Sequence, residues 1–152
     1  TASLMAAACE MGAISGAPEY RGALASYGHN LGMAFQIADD LLDYTGTEAV
    51  TGKPTGHDLR ERKVTLPLVS ALERVSKKED EEIRDFFTRI DPTDQEIARI
   101  VDIVAEHGGL DYASEVAERY AARARGDLKS LPDSPAVTSL FDAVSYAVDR
   151  IK

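Results

Sequence analysis

Residues 24–43 read LASYGHNLGMAFQIADDLLD, and the spacing of apolar residues within this stretch decides the fold class. Leu24, Tyr27, Leu31, Phe35, Ala38 and Leu42 recur at intervals of three and four, the period of an α-helix that turns one face inward. Pro18 stands near the start and Gly46 just after the end, where helices open and close. Gly28 and Gly32, one turn apart, predict a second helix packed closely against this one. Four polar residues, Gln36, Asp39, Asp40 and Asp43, fall at i, i+3, i+4 and i+7 and so project from a single face. Three carboxylates there repel one another beside the negative end of the helix dipole, which calls for a nearby cation. On relief of that repulsion alone, removing one of them is expected to be neutral or mildly stabilising for the fold.

The rest of the chain reads as helix too. Thr93 with Glu96 predicts a capping box, followed by Ile97, Ile100, Val101 and Val104 on one face until Gly108-Gly109. A helix from Leu110 to about Lys129 follows, ended by Pro132, and Ser134-Pro135 then reads as N-cap and first helical residue of a segment carrying Leu140, Phe141, Val144 and Val148. No alternating strand pattern or internal repeat interrupts this. The expectation is an all-α chain forming a single helical unit over 1–152, with 46–64 as its longest non-helical stretch and a candidate functional loop.

The required cation lies in that loop. Residues 1–52 carry a net charge of −5 and residues 64–152 a net −6, whereas 53–63 is positive at +2 through Lys53, Arg60, Arg62 and Lys63. Gly52, Pro54 and Gly56 let its backbone bend towards a ligand. Magnesium is commonly held by one or two carboxylates plus substrate phosphates, so an aspartate face beside lysines suits a metal-bound diphosphate. A solvated acidic helix end is the plainer reading, but Phe35, Ile37, Leu41 and Leu42 crowd apolar surface around the aspartates.

Composition narrows the classes. A pI of 4.8 leaves no basic face for nucleic acid. The single cysteine, Cys9, makes no internal disulfide and fits a reducing compartment, and no run is long and apolar enough to span a membrane; a cytoplasmic setting is expected. His29, His57 and His107 have no HxxxH spacing, so a zinc site is not expected.

FQIADDLLD at 35–43 and TGKPTGHDLRERKVTLPL at 51–68 together resemble the trans-prenyltransferases, or polyprenyl diphosphate synthases. The first is similar to that family's second aspartate-rich motif and the second to the loop that follows it. TASLMAAACEMGAISG at 1–16, GGLDYASEVAERYAARARGDLKSLPDSP at 108–135 and LFDAVSYAVDRIK at 140–152 resemble further family helices, so the likeness runs along essentially the whole chain. DLRERKVTLPL looks most like bacterial medium- and long-chain synthases.

The resemblance implies the C-terminal portion of an orthogonal helix bundle of the isoprenoid synthase type. It implies transfer of an allylic prenyl group onto isopentenyl diphosphate, with Mg2+ as cofactor, and a homodimer for the complete enzyme. Asp39, Asp40 and Asp43 would be the metal residues. Thr1, Gln36 and Lys53 would be catalytic, and Phe35, Gln36, Lys53 and Lys63 would bind substrate. Only one Asp-Asp pair occurs, Asp39-Asp40, whereas the family carries two aspartate-rich motifs, so the chain is expected to be inactive alone. Arg62 stands where the family commonly has Gly. A non-catalytic subunit of a heteromeric synthase and a plain helical interaction module are the competing readings.

Overall fold

The computed structural model describes residues 1–46 and 55–151. Among these, every regular element is helical: α1 (Ala2–Gly16), α2 (Arg21–Thr45), α3 (His57–Arg60), α4 (Leu66–Leu72), α5 (Lys77–Thr88), α6 (Asp94–Glu106), α7 (Gly109–Asp127) and α8 (Pro135–Asp149), with short 3-10 turns at Pro18–Tyr20 and Leu128–Ser130. The fold is all-α, as the periodicity requires. The sequence was expected to form a single helical unit, and the chain contacts fall into two compact groups, Thr1–Ala38 with Glu115–Lys152, and Asp39–Ser114.

The first group is built on α2, α7 and α8. Tyr27, Ala34, Ala121, Ala124, Leu128, Val144 and Val148 form its buried core, with Leu24, Leu31, Leu140 and Phe141 packed at the edge. Each polar atom drawn into this core has a partner, because an unpaired one would carry its full desolvation cost. Tyr27 donates its hydroxyl to the Leu140 carbonyl at 2.9 Å, and Asn30 donates to the Asp127 carboxylate at 2.7 Å. The two glycines of α2 do what their spacing foretold. A Cβ on Gly28 would lie 2.5 Å from the Met5 carbonyl oxygen, and one on Gly32 would lie 2.5 Å from the Ala2 Cα, so α1 rests directly on this face.

The second group has its own core of Tyr44, Leu59, Leu68, Ala71, Ile83, Phe86, Ile97, Ile100, Ile103 and Val104. Helix α6 follows most of its sequence signals: Thr93 and Glu96 form the reciprocal capping box, and Ile97, Ile100 and Val104 are buried as expected, with Ile103 completing the stripe and Val101 only half-buried. Helix α5 starts on a second capping box, Ser76 with Glu79, and buries only Ile83 and Phe86 among its many charges. Helix α3 breaks the expectation of an unbroken non-helical stretch over 46–64: a single turn forms there because Leu59 is drawn fully into the core.

Candidate active site

Helix α2 presents Gln36, Asp39, Asp40 and Asp43 at the spacing that puts them on one face. Ile37 and Leu41 between them are buried, Asp40 and Asp43 are half-buried, and Asp39 is exposed. The apolar surroundings read from the sequence are therefore present.

Asp43 anchors the next segment of chain. Three successive backbone N–H groups converge on it: Gly56 donates to its main-chain carbonyl at 2.8 Å, His57 to Oδ1 at 3.1 Å and Asp58 to Oδ2 at 3.0 Å. Helix α3 has glycine as its N-cap, with no side chain to satisfy its first donors, and the Asp43 carboxylate does this from α2. Gly56 permits the approach. Its φ of 75° lies in the left-handed region, and a Cβ there would come within 2.3 Å of Ile97 Cγ2. Burial pushes the Asp43 carboxyl pKa up; the backbone bond from Asp58 pulls it back, and the Asp58 charge adds to the rise. This arrangement changes the expectation for Asp43, since relief of repulsion is opposed there by the loss of two backbone donors' acceptor.

One residue further along, Tyr44 is buried, and its hydroxyl accepts a hydrogen bond from Thr65 Oγ1 at 3.3 Å. Burial raises its pKa to about 12, so it stays neutral and joins the end of α2 to the start of α4. The side chain of Lys63 projects from the turn after α3 and pairs with Asp58 at 3.0 Å and Glu61 at 2.6 Å. These hydrogen bonds, Glu61 first, hold the ammonium pKa above its ordinary value. Lys53, the other expected diphosphate ligand, lies outside the described residues, as does most of the loop before Thr55.

Thr1, Phe35 and Gln36 lie in the first group. Thr1 Oγ1 donates to Gln36 Oε1 at 2.9 Å, so these two expected catalytic residues are brought together. Phe35 is held from the far end of the chain: the Arg150 guanidinium lies 4.1 Å from its ring centroid and donates to its carbonyl at 2.8 Å. Helical periodicity gave no signal for Arg150, which is 115 positions away, and none for Tyr44 as a hydrogen-bonded core residue.

Among the described residues no three His, Cys, Asp or Glu side chains converge as a metal cage. The all-oxygen donor set on α2 fits a hard divalent ion whose remaining ligands come from a bound diphosphate. A groove of about 560 Å³ between α5 and α6 offers no comparable chemistry. Its two arginines are paired, Arg99 with Glu82 at 3.2 Å and Arg89 with Glu96 at 2.6 Å.

Among the described residues the regular elements are all helical, and the aspartate face of α2 is docked through Asp43 onto the start of α3. The family described as polyprenyl synthetase matches residues 1–104, and the chain belongs to that family. It is 38% identical to the short chain isoprenyl diphosphate synthase of Methanothermobacter thermautotrophicus, over 99% of this chain and 46% of that protein. The solved decaprenyl diphosphate synthase of Rhodobacter capsulatus superposes with a TM-score of 0.90 at 38% identity, covering all of this chain and 47% of that one. The polyprenyl synthase of Caulobacter crescentus, solved in complex with calcium and isoprenyl diphosphate, gives 0.89 at 38% identity over 98% of this chain and 46% of that one. The fold is thus that of part of an isoprenoid synthase, and the chain spans about half the length of the relatives it matches.

Proposed function

We propose that this chain is the half of a trans-prenyltransferase that receives the allylic diphosphate, and that the complete protein transfers the allylic group onto isopentenyl diphosphate. The observation that carries this reading is the docking of residues 56–58 on Asp43, which joins the aspartate helix to the cationic segment. A diphosphate leaving group needs both, because several negative oxygens must be neutralised as the carbon–oxygen bond breaks. Family membership and the Caulobacter protein's bound calcium and isoprenyl diphosphate support the same assignment.

In this mechanism Asp39 and Asp43 would hold magnesium with Asp40 in support, and the ion, when bound, would supply charge neutralisation to the leaving diphosphate. Asp43 keeps lone pairs for this role, since each of its oxygens accepts a single backbone donor. Lys53 and Lys63 bind the remaining oxygens, Lys63 by exchanging Asp58 and Glu61 for phosphate. The carbon–oxygen bond breaks with its electron pair on the diphosphate, and the double bond of isopentenyl diphosphate attacks the allylic cation. Thr1 and Gln36, fixed to each other, place oxygen dipoles beside the developing charge, a preorganised stabilisation. Phe35 packs against the isoprenoid unit. Proton loss to the released diphosphate restores a double bond.

A cytoplasmic homodimer is the setting we propose for the complete protein, on the family resemblance and the chain's composition. The test is a magnesium titration of the complete protein with and without inorganic diphosphate. Binding of each should strengthen the other; magnesium affinity indifferent to diphosphate would contradict the reading.

A further inference from the structure

Arg62 is the non-glycine residue with positive φ among the described residues, at 59°. This backbone conformation is strained for an L-residue other than glycine. Its guanidinium turns into the protein, where Nη1 donates to the Phe87 carbonyl at 2.6 Å, while Nη2 is buried and meets no hydrogen-bond partner among the described residues. On stability alone glycine would be the cheaper residue, because it accepts the backbone angle and buries no unpaired donor. What arginine adds is the bond to Phe87. That carbonyl lies in the last turn of α5, where no intrahelical donor reaches it and a cation is favoured by the helix dipole.

The bond ties the turn that carries Lys63 to α5, in addition to the turn's own backbone bonds and ion pairs with α3. Leu59 sits in the core and Arg60 pairs with Asp94, so α3 itself is held; residues 61–63 lie beyond both. Within that turn the Arg62 N–H donates to the Leu59 carbonyl at 3.1 Å and the Lys63 N–H donates to the Asp58 carbonyl at 2.8 Å. Asp58 is in turn held by Asp43 through its own N–H. We propose that Arg62 is a positioning residue: by tying the 61–63 turn to the end of α5 it sets the place from which Lys63 meets the diphosphate of the allylic substrate. The inference rests on the function proposed above.

The experiment compares the complete protein with Arg62→Gly and Arg62→Lys. Glycine keeps the turn and loses the tether; lysine keeps one donor that can reach Phe87. Expected for Arg62→Gly are faster amide exchange at residues 61–63, a melting temperature no lower than wild type, about tenfold weaker affinity for inorganic diphosphate and an about tenfold higher KM for the allylic substrate. The KM for isopentenyl diphosphate should hold, and Arg62→Lys should recover part of the loss. Unchanged diphosphate affinity in Arg62→Gly, or an equal loss for both substrates together with a fall in melting temperature, would overturn the proposal. If the wild type binds diphosphate but forms no prenyl product, the proposed reaction fails while the affinity difference still decides the role of Arg62. A wild type that binds no diphosphate would overturn both.

Discussion

Arg150 lies over the ring of Phe35 at 4.1 Å from its centroid and donates to the Phe35 carbonyl at 2.8 Å, joining the end of α8 to the residue that opens the aspartate motif. A cation over an aromatic face is worth about 0.5–1 kcal/mol at a partly exposed site, and a charge-assisted hydrogen bond somewhat more. Arg150→Ala should therefore cost the complete protein about 1–2 kcal/mol in denaturant unfolding. Arg150→Lys should recover only part, because lysine offers no planar group to stack. A loss below a few tenths of a kcal/mol for the alanine variant would show that the contact holds nothing in place.

The three aspartates of α2 should separate by role. Asp43→Ala leaves the N–H groups of His57 and Asp58 without their acceptor, and its cost in metal-free buffer should be about 2–3 kcal/mol. Exposed Asp39 should change stability by no more than about 0.5 kcal/mol when replaced by alanine. Equal unfolding free energies for the two variants would contradict the docking role of Asp43.

Glu79 gives a pH test independent of catalysis. Ser76 donates to its carboxylate from its hydroxyl at 2.7 Å and its N–H at 2.8 Å, and His107 Nε2 lies 3.1 Å away. These bonds, the Ser76 hydroxyl first, lower its pKa from 4.5 to about 2. A depressed carboxylate stabilises the fold above its unfolded pKa, and that contribution is lost as pH falls from about 4.5 towards 2. The melting temperature of Glu79→Gln should thus lie below wild type at pH 5, with the gap closing as pH approaches 2. A gap that stays constant over this range would rule out the linkage.

Much of this was legible in the sequence because it depends on local rules. The period of 24–43, the Thr93–Glu96 capping box, the Ser134-Pro135 helix start and the close approach at Gly28 each follow from neighbours three or four residues apart, and each is found. The Thr1–Gln36 pair was legible only as two members of one family site. Nothing local points to Arg150, since its partner is brought near by tertiary packing. The same holds for Asp43 as the acceptor for α3, where repulsion between carboxylates was visible and the three incoming N–H groups were not. Arg62 was visible as a departure from glycine, but its burial against Phe87 depends on where α5 ends.

The central claim is that the aspartate face of α2 serves a metal-bound allylic diphosphate during prenyl transfer. The most direct measurement is incorporation of labelled isopentenyl diphosphate by the complete protein as a function of magnesium, for the wild type and Asp39→Ala. The account predicts magnesium-dependent elongation in the wild type, and a fall of about 100-fold or more in kcat/KM for Asp39→Ala with the melting temperature unchanged. Elongation by Asp39→Ala within about twofold of wild type at every magnesium concentration would contradict it.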